Sequence, residues 1–350
     1  MNLQEKAEAL DGFIVIDKPK GPTSHQIDHW VREILGISKV GHIGTLDPGA
    51  SGVLVMALGK ATKLIDIAHE QQKEYVSVMR LYGDVPRERI EEVFREYETE
   101  LYQIPPMRSA VARLLRKRRV YSLRIMEITG RLVLFRVRCD SGTYIRTLCT
   151  DMGYTLGTGA QMAELKRTET GLFKEENAVT LQDLRDAVVL KKDGKPEMFN
   201  RMFFPSDYLF RDYPKVIVKK STLHNISHGS DLFPGGIRAI IGKPMRGDRV
   251  AVLSENNELV GTGLMLVSYD EINDIKVVDF DRIMLENPDQ EKVEIKREIK
   301  PRPPERKAYR PKGKPQRAQP KERERFRERP VPQRRENNGR KKFDRPKKRR

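Results

Sequence analysis

One carboxylate stands out for the residues around it. Asp47 lies in the stretch Gly41 to Leu58, GHIGTLDPGASGVLVMAL, where Gly41, Gly44, Gly49, Gly52 and Pro48 crowd around it and an apolar run, Val53 to Leu58, follows. Glycines permit backbone conformations and close approaches that a Cβ forbids. The run has the length and β-branching of a buried strand. An ionised carboxylate on such a loop can serve as nucleophile or base toward a ligand whose backbone comes close. Asp-Pro-Gly is also ordinary turn chemistry, and on local pattern alone the plain turn is the better reading.

The other reactive residue types narrow the chemistry. His25 and His29 lie one turn apart on an expected helix, and His224 and His228 repeat that spacing. The HExxH pattern is absent, and no acid or cysteine completes the second pair, so no metal role is expected. Gly59-Lys60-Ala61-Thr62 looks like the end of a phosphate loop, but position 54 is Leu54 rather than glycine and Ala61 stands where a magnesium-binding hydroxyl belongs, which excludes an NTPase. Cys149 falls at helical spacing with Ile145, Leu148 and Met152 and reads as core filler rather than nucleophile. Ile104 to Tyr121 carries Arg108, Arg113, Arg116, Lys117, Arg118 and Arg119 with no acid among them. Solvated helix faces normally mix signs, so this segment reads as a phosphate-contacting arm.

These residues need elements to position them. Phe13 to Asp17 reads as a short buried strand stopped by Lys18-Pro19-Lys20-Gly21-Pro22. Thr23 or Ser24 caps a helix with Ile27, Trp30, Val31, Ile34 and Leu35 on one face and Gly36 at its end. Tyr75 to Tyr82 alternates as a strand; Ile90, Val93, Phe94 and Tyr97 mark a helix; Arg131 to Asp140 is a further strand, and a helix starts from Tyr144. Leu165 to Gly171 reads as a polar turn, Thr180 to Asp183 as a helix cap, and residues from about 186 to 212 as connecting chain. From Tyr213 short β-rich runs alternate with Gly and Asn turns, the pattern of a small β-barrel or sandwich.

Composition sets the partners. The 350 residues suit two domains and a tail, and the net charge of +17 is unevenly placed. Asp289 to Arg350 holds 26 Lys and Arg against 10 Asp and Glu; the rest of the chain is nearly neutral, with 41 against 40. That tail has too little apolar surface to fold and is expected to be disordered, with a salt-sensitive attraction to nucleic acid. Two cysteines suggest a reducing compartment. No run is long enough to span a membrane and the N-terminus has no signal-peptide core, so a soluble, intracellular, cytoplasmic protein is expected.

Taken together, these segments resemble the TruB family of pseudouridine synthases, and within it the archaeal dyskerin-type branch, over nearly all of residues 11 to 285. DKPKGPTSH, GHIGTLDPGASG, KEYVSVMRL, CDSGTYIRTL and LKRTETG appear in the family's order. The resemblance implies an α+β fold: a catalytic domain (1–212) built on a mixed, mainly antiparallel sheet flanked by helices, a PUA-like RNA-binding β-barrel (213–287) and the basic tail (288–350). It implies conversion of uridine to pseudouridine in RNA without cofactor or metal. Asp47 takes the place of the family's essential aspartate, Tyr75 that of the tyrosine stacking on the target base, and Arg167 that of the arginine paired with the carboxylate. Lys18, His42, Arg108, Arg113, Arg116, Lys117, Arg118, Arg119 and Arg146 are expected to contact RNA, with His42 equally suited to ordering the loop. The implied partners are tRNA, rRNA or an H/ACA guide RNA, and the accessory proteins of that particle. The competing reading is a non-catalytic RNA-binding scaffold of an H/ACA-type ribonucleoprotein, in which Asp47 only makes a turn.

Overall fold

The computed structural model describes residues 10–105, 112, 114–273 and 275–285. Arg108, Arg113 and the basic tail lie outside them. The chain opens with β1 (Gly12–Lys18), whose first five residues are all buried. It continues through α1 (Ser24–Leu35), β2 (Val40–Ile43) and β3 (Ser51–Leu58). Thr23 is the N-cap of α1: its hydroxyl accepts from Gln26 N while the Gln26 side chain accepts from Thr23 N, and Gly36 closes the helix at φ 66°. There follow α2 (Ile65–Glu70), β4 (Lys73–Leu81), α3 (Arg87–Glu96), β5 (Glu100–Gln103), β6 (Arg116–Thr129), β7 (Leu132–Cys139) and α4 (Ile145–Thr155). The domain is completed by β8 (Ala160–Thr170), β9 (Phe173–Lys174), α5 (Leu181–Lys192), α6 (Glu197–Met202) and β10 (Phe203–Pro205).

The strands form one sheet in the order β10-β1-β3-β8-β4-β7-β6-β5, with β2 added to β3 and β9 to β8. Among the described residues its pairings are antiparallel except β3 with β8. The apolar run after Asp47 becomes β3 at the centre, buried from Gly52 to Leu58 between β1 and β8. Gly52, at φ 99°, makes that junction possible, because a Cβ there would lie 2.2 Å from Arg167 O. Helices cover the sheet, giving the α+β class expected.

Two stretches differ from the sequence reading. Leu165 to Gly171 is no turn: all but the last of these residues belong to β8, between β3 and β4. Neighbours satisfy most of its polar side chains: Thr168 Oγ1 donates to Glu74 Oε1 at 3.0 Å and Glu169 pairs with Arg138, while the Thr170 hydroxyl is buried without a hydrogen-bond partner. Residues 186–212 also carry structure, since α5 runs on to Lys192, α6 follows, and β10 pairs with β1. Thr180 and Asp183 make the capping box of α5, as its sequence implied.

The C-terminal strands β11 (Lys215–Val218), β12 (Ile237–Ile241), β13 (Arg249–Leu253), β14 (Leu259–Met265) and β15 (Val278–Ile283), with α7 (Lys220–Ser227), form a second sheet in the order β12-β11-β13-β14-β15. Val216, Val218, Val250, Val252 and Val260 fill its interior. Ala251, Leu253 and Met284 instead pack with Leu64, Ile67 and Ala68 of the first domain, so the two sheets share an apolar seam. Among the described residues no helix is long and apolar enough to cross a membrane.

Candidate active site

A cavity of about 770 Å³ opens between the β2–β3 loop, α2, β4, β6 and the start of α4. That is within the roughly 300–1,000 Å³ typical of ligand pockets. Its lining includes Asp47, Lys73, Tyr75, Arg118, Arg146 and Arg167. Ala50 N donates to Asp47 O at 3.0 Å, closing a turn, and the Asp47 side chain faces the cavity.

The loop is fastened from several sides. Ser24 Oγ, at the start of α1, donates to Leu46 O at 3.1 Å and accepts from Leu46 N at 3.0 Å. Gly21 N donates to Pro48 O at 2.8 Å. Lys18 is completely buried, and its ammonium donates to Pro19 O and Ala50 O, both at 2.9 Å. Desolvation lowers its pKa, partly offset by the charge of Asp47. Lys18 therefore ties the loop to β1 and has no surface to offer to RNA, a correction to its expected role. His42 is likewise turned inward. Its Nδ1 lies 2.8 Å from Asp28 Oδ2 and its Nε2 lies 2.9 Å from Thr45 Oγ1, so it orders the loop.

Arg146 takes the place expected of Arg167, and Arg167 takes neither expected place. The Asp47 carboxylate pairs with Arg146, from the first turn of α4, and both side chains remain about half exposed at the cavity rim. Arg167 is 1% exposed; its Nε donates to Val53 O and its Nη2 to Gly44 O, each at 2.8 Å. It lies opposite Tyr75 in the β4–β8 register. Burial drives the guanidinium pKa down, with Tyr75 acting against it, and drives the Tyr75 phenol pKa up, with Arg167 acting against it. Arg167 is thus the bracket beneath the loop, and Arg146 is the charge partner of Asp47. The reason is geometric: β8 enters the sheet beside Gly52, which places the Arg167 side chain under the loop backbone rather than beside the carboxylate.

Lys73 was missed by the sequence reading. It lies two residues before Tyr75 in β4, the spacing that puts side chains on one face of a strand, so the signal was present. Its Nζ donates to His69 O at 2.5 Å and Gln71 O at 2.6 Å. Desolvation, with the neighbouring Arg167 charge, lowers its pKa to about 7. The same burial, aided by Lys73 and Arg167, lowers the pKa of His69, whose Nδ1 is 3.2 Å from Ser141 Oγ. Gly44, at φ 72°, allows this packing, since a Cβ there would meet Arg167 Nη1 at 3.2 Å and Lys73 Cε at 3.7 Å.

The described part of the basic segment begins β6, and strand alternation divides it. Arg116 and Arg118 face the cavity, where Arg118 rests against Gly142. Lys117 and Arg119 point outward, Lys117 to Glu100 at 2.7 Å and Arg119 over the Tyr121 ring. A pocket with an ionised carboxylate at its rim, an aromatic wall and several arginines suits an anionic ligand carrying a flat ring.

Comparison with known proteins agrees. Residues 32–145 match the TruB family pseudouridylate synthase N-terminal domain, 146–211 the tRNA pseudouridylate synthase B C-terminal domain, and 214–284 the PUA domain. Proteins named probable tRNA pseudouridine synthase B are 59% identical in Picrophilus torridus and 56% in Thermoplasma volcanium, over 81% of this chain and 81% and 80% of theirs. Among solved structures, a Cbf5-Nop10-Gar1 complex contains a chain 43% identical, with a TM-score of 0.73 over 80% of this chain and 86% of that one. An H/ACA RNP bound to a substrate RNA containing 2'-deoxyuridine contains one 41% identical, with a TM-score of 0.72 over 80% and 87%. The chain belongs to the TruB family of pseudouridylate synthases and carries that family's N-terminal and C-terminal domains followed by a PUA domain.

Proposed function

We propose that this protein isomerises uridine to pseudouridine in RNA in the cytoplasm, with Asp47 as the reacting carboxylate, Arg146 as its charge partner and Tyr75 as the stacking wall. The glycosidic bond breaks, the base turns, and C5 rejoins the sugar, with no net redox change and no group donor. A uridine within folded RNA is out of reach and must be flipped into the cavity, at a cost of a few kcal/mol. Stacking on Tyr75 offsets roughly 1–3 kcal/mol of that. The Arg146 guanidinium pairs with the Asp47 carboxylate and fixes its direction at the cavity rim. Arg167, Lys18 and Ser24 hold the loop so that the carboxylate meets the nucleotide without rearrangement. Arg116 and Arg118 on the cavity side, with Lys117, Arg119 and the PUA domain beyond it, hold RNA phosphates.

The observation carrying this reading is the Asp47–Arg146 pair at the rim of the cavity that Tyr75 walls. The names of the relatives point to tRNA and to the substrate RNA of an H/ACA particle; the targets are the T-loop uridine of tRNA and/or, with a guide and that particle's accessory proteins, rRNA, as the family resemblance implies. Pseudouridine formation in a tRNA transcript, measured with and without guide RNA and accessory proteins, tests this. Product in neither arm would leave the non-catalytic scaffold.

A further inference from the structure

Asp28, in the second turn of α1, is buried beneath two imidazoles. Its Oδ2 lies 2.8 Å from His42 Nδ1 and 3.3 Å from His25 Nδ1, and the two rings meet edge to face with centroids 5.0 Å apart. One donor atom from each residue falls within 4.8 Å of the others. The helical pair suggested by sequence is not the relevant one, because His29 turns to Glu33 at 3.4 Å. His25 and Asp28 share a helix face, and His42 approaches from β2.

We propose that His25, Asp28 and His42 form a binding site for a zinc-class divalent cation, which clamps the start of α1 to the loop carrying Asp47. Bonds of about 2.0–2.1 Å to Zn²⁺ set neighbouring donors of a tetrahedron roughly 3.3 Å apart. The two separations from Asp28, 2.8 and 3.3 Å, lie within about 0.5 Å of that, and the donors of the two imidazoles are no more than 4.8 Å apart. Two imidazole nitrogens and one carboxylate oxygen are donors that Zn²⁺ accepts readily. The contact between His42 Nε2 and Thr45 Oγ1, 2.9 Å, is the kind of outer hydrogen bond that fixes a ligating ring. The His25 side chain is 84% exposed, which leaves the remaining position open to water. On binding, each neutral imidazole offers the lone pair of Nδ1 to the metal and carries its single proton on Nε2, which in His42 faces Thr45 Oγ1. The isomerisation itself needs no such ion. The expected effect is on the loop: Thr45, two residues before Asp47, is held through His42.

The test uses the full untagged chain in a His224→Ala background, because the His224 and His228 rings, with centroids 4.4 Å apart, offer a competing pair. Titrating Co²⁺ should give a stoichiometric complex with the intense visible bands of four-coordinate cobalt, displaced by Zn²⁺. His25→Ala, an exposed position whose loss leaves the core intact, should weaken binding by roughly tenfold or more. Zn²⁺ should also slow amide exchange at Thr45 in the parent and not in His25→Ala. Absent cobalt bands, equal affinity in His25→Ala, or exchange at Thr45 indifferent to Zn²⁺ would each overturn the proposal.

Discussion

Asp47 and Arg146, 99 residues apart in sequence, form an ion pair at the rim of the cavity, whereas the buried Arg167 donates to the carbonyl oxygens of Gly44 and Val53 on either side of Asp47. One arginine therefore serves the charge and the other the scaffold, and the two can be separated by experiment.

Arg146→Ala removes the charge partner of a half-exposed carboxylate and leaves the core untouched. Turnover should fall roughly 100-fold or more, with the unfolding midpoint and RNA affinity little changed. Single-turnover kinetics beside urea unfolding checks this.

Arg167→Ala should act chiefly on stability. It strands Val53 O and Gly44 O and opens a void under the loop, costing about 3 kcal/mol or more. Arg167→Lys should not restore it, because a lysine lacks the planar fork that reaches both carbonyls. Wild-type stability in either variant would contradict the bracket role.

Lys18→Ala should lower stability and turnover together while leaving RNA binding and its salt dependence as they were. A residue neutralising a phosphate contributes to the slope of affinity against salt; one buried in the protein does not. A shallower slope in the variant would return Lys18 to the RNA interface.

Much of the frame was legible in the sequence, and the exceptions have physical causes. The helix from Ser24 and the strand after Asp47 follow from apolar periodicity and glycine punctuation. The segment around Arg167 did not, because a strand of polar residues carries no apolar signal when its partners, Glu74, Arg138 and Val53 O, come from other strands. Which arginine reaches Asp47 depends on side-chain direction at a parallel junction, and no local pattern encodes that. Lys18 is expected at the RNA from the family resemblance, whereas burial puts it under the loop; for His42, equally suited to RNA or to ordering the loop, the contacts with Asp28 and Thr45 favour the second.

Lys73 gives a pH signature. Its folded pKa of about 7 lies below the ordinary lysine value of 10.5. Between those values the unfolded chain holds a proton that the folded protein lacks, so stability rises with pH through that window, and the penalty of the buried charge is complete below it. Lys73→Met should remove a slope of up to about 1.4 kcal/mol per pH unit. Urea midpoints of both proteins across this window test the sign; parallel slopes would contradict it.

The central claim concerns Asp47 itself, and tritium release from RNA labelled at uridine C5 reads it most directly. Asp47→Ala should bind RNA as the wild type does and release no tritium above buffer, with Asp47→Glu failing to restore it because one methylene misplaces the oxygen. Release at the wild-type rate from Asp47→Ala would show that the carboxylate takes no part in the chemistry.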